Sequence, residues 1–365
     1  MNRYGRYLFI CAALLICAGF IMVFNTTSAE ILDKEGIANV HTALVKQLIY
    51  GCIGFAAAFL AYLTNYQKLF KWSPALYYGC IGLLLLVFVP GIGQRINGAR
   101  RWIGIAGLTF QPSELMKLLI PIYYISLFAL RQRTILLKDF LRILFLLAIP
   151  IVLVIIEPDN GTAVIMLSTL VVMFYLTKVR WVFWGLPIVI FALVGATFAS
   201  QMKHVTDRIR VYLNPELDLL GKGHQPYQAK IAAGSGGLTG RGFGESLQKL
   251  NYLPEARSDY IAAIFAEEFG FIGILTLLLL YMAFALFGFQ IASTSKSREG
   301  YYLAAVITFL ITFQAFLNLG VVSGFLPSKG TNLPLFSQGG SSLIMNMIGL
   351  ALVLNVSKER KRVEA

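Results

Sequence analysis

SLQKLNYLPEARSDYIAAIFAEEFGFIGILTLLLL, residues 246–280, passes from a polar segment straight into an apolar helix. Asp259, the last carboxylate before the apolar run, is expected where water meets lipid. Ionisable groups are costly at that depth. The surrounding composition requires a bilayer. The 365 residues are 57% hydrophobic and 13% charged, with a mean hydropathy of +0.71. They repeatedly supply the run of about 18 apolar residues that a membrane-spanning helix needs.

The pattern predicts an all-α polytopic membrane protein with ten transmembrane helices. The spans are expected at Leu8 to Phe24, Lys46 to Leu63, Pro74 to Val89, Pro112 to Leu130, Phe140 to Ile156, Thr162 to Thr177, Trp181 to Ala199, Ile261 to Ile291, Tyr302 to Val322 and Ser341 to Asn355. An uncleaved first helix is preferred over a signal peptide because so many spans follow. The whole chain, 1–365, then forms one transmembrane domain. Residues 200–258 make a long extracytoplasmic loop between the seventh and eighth helices.

Basic residues set the orientation. With the N-terminus cytoplasmic, the termini and even-numbered gaps hold sixteen Lys and Arg, whereas the short opposite loops hold five: Lys34, Arg95, Arg100, Arg101 and Lys329. That bias places both termini inside. It also accounts for the net charge of +13 as short clusters between apolar runs, facing anionic lipid and not nucleic acid.

Within the long loop, Val205, Ile209, Tyr212 and Leu213 recur at helical spacing, which predicts an interfacial helix. The following YQAKIAAGSGGLTGRGFGES has glycines at 234, 236, 237, 240, 242 and 244 that permit tight turns and close backbone approach, but fits no nucleotide-binding pattern. Cys11, Cys17, Cys52 and Cys80 all lie in apolar runs, which predicts small buried hydrophobes and no disulfide. The three histidines, at 41, 204 and 224, support neither a Ser/His/Asp site nor a zinc cluster. The Asn25 and Asn160 sequons are short matches with a high chance rate.

Three stretches carry chemistry. In RINGARRWIGIAGLTFQPSELMKL, Pro112 opens the fourth helix and Glu114 and Lys117 share a face just inside the membrane. Spacing leaves two readings open, a structural ion pair or the wall of a wet cavity. Arg100, Arg101 and Trp102 fit either interfacial anchoring or an anion site. In the opening stretch, Glu255 and Asp259 stand four apart around Arg257. Asp259 suits a helix cap and equally a general base or a divalent-cation ligand. In SGFLPSKGTNLPLFSQGGSSLI, prolines and glycines make a turning loop in which Ser341 or Ser342 is expected to cap the last helix.

These three motifs, in this order and over nearly the whole chain, resemble the SEDS family of bacterial FtsW, RodA and SpoVE proteins. QKLNYLPEARSDYIAAIFAEEFG and LPSKGTNLPL look more like the FtsW and SpoVE forms. Gln338 departs from the family's usual aromatic residue.

The resemblance implies a peptidoglycan glycosyltransferase that polymerises lipid II, with Asp259 at the family's essential acid. Arg101, Glu114 and Lys117 match its polar cavity. Lys249, Glu255 and Ser337 complete the residues expected to contact substrate. It also implies a class B penicillin-binding protein as transpeptidase partner, other divisome membrane proteins beside it, and residence in the bacterial inner membrane. A Mg or Mn ion is the one cofactor expected. Rival readings are a lipid II flippase and a non-catalytic divisome scaffold. A carrier should place its ionisable residues near mid-membrane and show repeats. Here the acids collect at the outer rim, and no sustained internal repeat is evident.

Overall fold

The computed structural model describes residues 2–29, 40–96, 99–105, 107–129, 136–190, 212–219, 221, 223–250, 252–327 and 330–358. Helices α1 (Arg3–Ala29), α2 (Val40–Leu63) and α3 (Tyr66–Val87) lead into a three-stranded antiparallel sheet, β1 (Gly93–Ile96), β2 (Ala99–Ile105) and β3 (Leu108–Phe110). Then follow α4 (Pro112–Ala129), α5 (Leu137–Ile156) and α6 (Asn160–Leu176), the apolar helix α7 (Trp181–Ile190), and α8 (His224–Ser235). The chain ends with α9 (Ile261–Ser293), α10 (Arg298–Val322) and α11 (Gly340–Val356).

Among the described residues, α1, α2, α3, α5, α9 and α10 are long and apolar enough to cross a membrane, and α6, α7 and α11 are shorter apolar helices. This is a multi-pass membrane protein. Large apolar side chains such as Phe55, Phe145 and Phe289 stay exposed, as lipid-facing positions should. Helix α10 is the most buried of the six long helices, and α4, α6, α9 and α11 pack around it. The second half of the seventh predicted span and the predicted interfacial helix up to residue 211 lie outside the described residues.

Three expectations are corrected. The fold is not purely helical: β1 and β2 pair Gly93 with Ile103 and Ile96 with Ala99. Asn97-Gly98 between them is a strong hairpin signal, hidden because the stretch also reads as a basic interfacial loop. Tyr50 of α2 secures the sheet, its hydroxyl accepting from Thr109 N (2.7 Å). The caps differ as well. Helix α9 starts after Tyr260 and no side chain caps it, so Asp259 is not its cap. Gly339 precedes α11, again without a side-chain cap, because Ser341 Oγ accepts instead from Gln111 N (2.9 Å). Of the four cysteines, all free, Cys11 and Cys80 are buried whereas Cys17 and Cys52 are exposed.

The glycine-rich segment repairs a break in α9. Gly270 has φ 64° and ψ −162° inside the helix, which leaves backbone groups without helical partners. Arg241 N donates to Glu267 O (3.0 Å) and Gly242 N to Glu268 O (3.0 Å), while Phe271 N and Ile272 N donate to Gly237 O and Leu238 O. The approach is so close that a Cβ on Gly240 would lie 2.1 Å from Glu268 O, and its φ of +83° already disfavours a side chain. Gly240→Ala is expected to lower the melting temperature of the detergent-solubilised protein by the equivalent of about 1–3 kcal/mol or more. Gly237→Ala, at φ +54° with nothing within 4 Å, should cost only about 1–2 kcal/mol of backbone strain. Equal losses in a thermal-shift assay would contradict this account.

Candidate active site

The sheet, the starts of α4, α6 and α11, the segment before α9 and the loop before α11 enclose a polar cavity of about 440 Å³. Of the seven side chains expected to contact substrate, five line it: Arg101, Glu114, Lys117, Glu255 and Asp259.

Glu114 and Lys117 lie on successive turns of α4. Lys117 Nζ stands 2.8 Å from Glu114 Oε2 and donates to Gln314 Oε1 (2.8 Å). Gln314 Nε2 donates in turn to Asn332 O (2.9 Å), tying α4 and α10 to the loop before α11. The two readings left open by spacing therefore coexist: a buried ion pair forms, and it faces the cavity.

Arg101, on β2, reaches across to the turn between α5 and α6. Its Nε donates to Glu157 O (3.1 Å), Nη2 donates to Pro158 O, and Nη1 lies 4.0 Å from Asp159 Oδ1. The guanidinium fork is thereby oriented by backbone carbonyls that Lys could not engage in the same geometry. Asp159 caps α6, accepting from Thr162 N (3.2 Å) and Thr162 Oγ1 (2.8 Å), and also accepts from Gln111 Nε2 (2.9 Å). Asp159 and Gln111 both line the cavity and were missed by sequence reasoning. The signal was present: an Asp directly before an apolar run, three residues from Thr162, is an N-cap pattern. Glu157 beside it is fully buried, and neither carboxyl oxygen finds a hydrogen-bond partner. Burial first, and then Asp159, push its pKa up to about 8 against the opposing pull of Arg101.

Asp259 sits where the polar segment turns into α9. Asn318 Nδ2 donates both to its backbone carbonyl (2.7 Å) and to Thr331 O (2.7 Å), fixing the main chain. The carboxyl group lines the cavity, and a Cβ on Gly330 would be 2.9 Å from its Oδ2, so a side chain there would have to displace the carboxylate. Among the described residues no donor hydrogen-bonds this carboxylate. Burial, with Glu255 and Asp159 adding like charge, raises its pKa from 3.8 to about 7, and Arg101 opposes the shift. A carboxylate poised near neutrality is suited to general base work.

Two predicted contacts lie elsewhere. Lys249 Nζ is buried outside the central cavity and donates to Glu268 Oε1 (2.9 Å), Asn25 Oδ1 (2.8 Å) and Gly244 O (2.6 Å). An ammonium has three donors, and all are used. Ser337 Oγ accepts from Leu333 N (2.9 Å) and closes a turn behind the cavity wall. Gln338, at the position of the family's aromatic residue, is held by its backbone: its N donates to Arg257 O (3.0 Å) and its carbonyl accepts from Asn332 Nδ2 (2.9 Å). Asn25 is buried and engaged, which leaves its sequon inaccessible.

Among the described residues no group of three or more His, Cys, Asp and Glu side chains could hold a metal ion. The donor set of Asp259 and Glu255 fits Mg²⁺, which commonly binds one or two carboxylates plus substrate phosphates, better than it fits an all-protein cage.

The model of the cell cycle protein family FtsW/RodA/SpoVE matches residues 5–362. The chain belongs to this family. Similar FtsW/RodA/SpoVE proteins include the probable peptidoglycan glycosyltransferase FtsW of Geobacter sp. (strain M18), 36% identical over 98% of this chain and 97% of that one. The stage V sporulation protein E of Bacillus subtilis (strain 168) is also 36% identical, over 96% of each chain. Among solved structures, a chain from a peptidoglycan synthase complex that coordinates polymerization and crosslinking aligns with a TM-score of 0.79 at 27% identity, covering 96% of each chain. The rod shape determining protein RodA of Thermus thermophilus aligns with a TM-score of 0.70 at 27% identity, covering 97% of each.

Proposed function

We propose that this chain is a peptidoglycan glycosyltransferase that polymerises lipid II at the outer face of the bacterial cytoplasmic membrane during cell division. One observation carries the reading: among the described residues the Asp259 carboxylate stands without a hydrogen-bond donor, in the wall of a polar cavity that Arg101 and Lys117 also line. In this reading ten helices cross the membrane, both termini are cytoplasmic, the segment 200–258 is outside, and the whole chain acts as one domain. The basic-residue bias supports that topology.

Asp259 accepts the proton of the acceptor GlcNAc 4-hydroxyl as that oxygen attacks the anomeric carbon of the donor MurNAc. The new β-1,4 bond forms as the bond from the anomeric carbon to the lipid pyrophosphate breaks, and polyprenyl pyrophosphate departs with its electron pair. Arg101 and Lys117 face that leaving group and stabilise the charge it gains. The cavity's acids, Glu114, Asp159, Glu255 and Asp259, outnumber these two cations. A divalent ion brought with the pyrophosphate and held by Glu255, with Asp259 left unliganded to act as the base, would supply the missing positive charge. The partner is a class B penicillin-binding protein that crosslinks the strands, alongside other divisome membrane proteins. The similarity to a chain of a peptidoglycan synthase complex supports such a partner.

The test is polymerisation of purified lipid II by the reconstituted chain, with and without the class B partner. Glycan strands are expected. Transfer of lipid II across the bilayer without polymer would identify a flippase, and polymer that appears only when a separate glycosyltransferase is added would identify a scaffold. The rate should rise between about pH 6 and pH 8, because Asp259 must lose its proton near pH 7 to act as a base. A profile flat across that range would fit an ordinary carboxylate, long since ionised, and would remove this role.

A further inference from the structure

Two consecutive glutamates on α9, Glu267 and Glu268, are fully buried just before the break at Gly270. Each binds the polar segment that leads to Asp259. Glu267 accepts from Ser246 Oγ (2.5 Å), Leu247 N (3.2 Å) and Gln248 N (3.3 Å), and Arg241 Nη1 lies 3.7 Å away. Glu268 accepts from Lys249 Nζ (2.9 Å) and from Asn25 Nδ2 of α1 (2.5 Å). The backbone bonds from Arg241 and Gly242 to the carbonyls of the same two glutamates complete the attachment. Residues 241–249 thus form a strap tied to α9 at both ends, while Asn25 ties the same node to α1. Ten residues beyond Lys249 the chain arrives at Asp259.

The energetics point the same way. An ion pair buried to this degree is weak evidence for stability, because apolar replacements often serve as well. Its specific property is to fix one geometry among several. Here the fixed geometry is that of the strap relative to the half-helix Ile261–Phe269, which begins two residues after the reacting carboxylate.

We propose that Lys249 and Glu268 are positioning residues for glycosyl transfer: their buried pair, completed by Asn25, holds the strap on α9 and thereby sets where Asp259 stands in the cavity. This rests on the reading of Asp259 as the base. It assigns Lys249 a role away from the pyrophosphate, as its three committed donors require.

The variants are Lys249→Met alone and Lys249→Met/Glu268→Gln, made in the full chain and assayed with its class B partner on lipid II. The single variant leaves a buried carboxylate uncompensated and should lose melting temperature and activity together. The double variant removes that charge, while the amide oxygen introduced by Glu268→Gln can still accept from Asn25. Its melting temperature should return to within a few degrees of wild type. With the Lys249–Glu268 tie removed and the strap held only by Glu267 and the backbone bonds, its kcat per folded molecule should stay about 10- to 100-fold low, and KM should remain within about twofold. Wild-type kcat per folded molecule in the double variant would overturn the proposal. So would a loss that tracks only the unfolded fraction. Asp259→Asn is assayed in parallel: full activity there would show that the base reading itself had failed, whereas an inactive Asp259→Asn beside a fully active double variant would sink the positioning role alone.

Discussion

Asp259→Asn is expected to insert and fold normally and to make no glycan strands, a loss of at least about 10²–10⁴-fold, the usual contribution of a general base. The change is nearly isosteric, and no described hydrogen bond to the carboxylate is forfeited. Stability should respond with the opposite sign. The pKa of Asp259 is raised on folding, from 3.8 to about 7. The folded state therefore binds the proton more tightly, and the stability so gained is complete below about pH 4 and lost as pH rises through about 7. Wild type should melt progressively lower across that interval, and Asp259→Asn should lack this part of the decline. Gel analysis of lipid II products together with melting curves at pH 5 and pH 8 tests both halves. Wild-type-like polymer from Asp259→Asn would remove the residue from the mechanism.

The next largest effect is expected at Lys117. Lys117→Met leaves Glu114 buried beside an apolar side chain and frees Gln314 from its partner, at a cost of about 3–5 kcal/mol. It also deletes one of the two cations facing the leaving group. Melting temperature and activity should therefore both fall. The double variant Glu114→Gln/Lys117→Met separates the two losses, because removing both charges should return most of the stability while the polymerisation rate stays low. Recovery of activity together with stability would reduce the pair to a structural ion pair. Thermal-shift and initial-rate measurements on the same preparations decide between them.

The two experiments differ in how far the sequence alone could have motivated them. Asp259 was conspicuous because a carboxylate at the head of an apolar run has few bland explanations, although spacing could not separate a cap from a base. The structure rules out the cap by starting α9 after Tyr260 with no side-chain cap. Glu114 and Lys117 were visible as an i, i+3 pair. That they also share a cavity with Asp259, in the segment before α9 and more than 140 residues later, depends on long-range packing, as does their link through Gln314. Asp159 was overlooked because its local signature is that of a helix cap, a job it performs while also lying near Arg101. Lys249 was misplaced for a related reason. Its cationic charge suits a pyrophosphate, and nothing local indicates that Asn25, more than 200 residues earlier, and Glu268 have already taken its donors.

The glycine-rich segment illustrates the same limit from the backbone. Its composition announces turns and close approach, but the purpose of the approach, to satisfy peptide groups left open at Gly270, exists only once the segment folds back on α9.

By itself the sequence determined the solvent. Apolar runs of helical length and the bias of Lys and Arg toward alternate gaps are local properties, and a bilayer enforces them segment by segment, since each spanning stretch must satisfy its own backbone. The motifs also determined the family. Only the tertiary structure decided which polar side chains share one cavity, which are committed to each other, and that the loop after α3 folds into a sheet carrying Arg101 to its place. Those outcomes depend on contacts between residues far apart in the chain, where hydrogen-bond partners and burial, and with them the pKa of a carboxylate, are set by neighbours that no local pattern names.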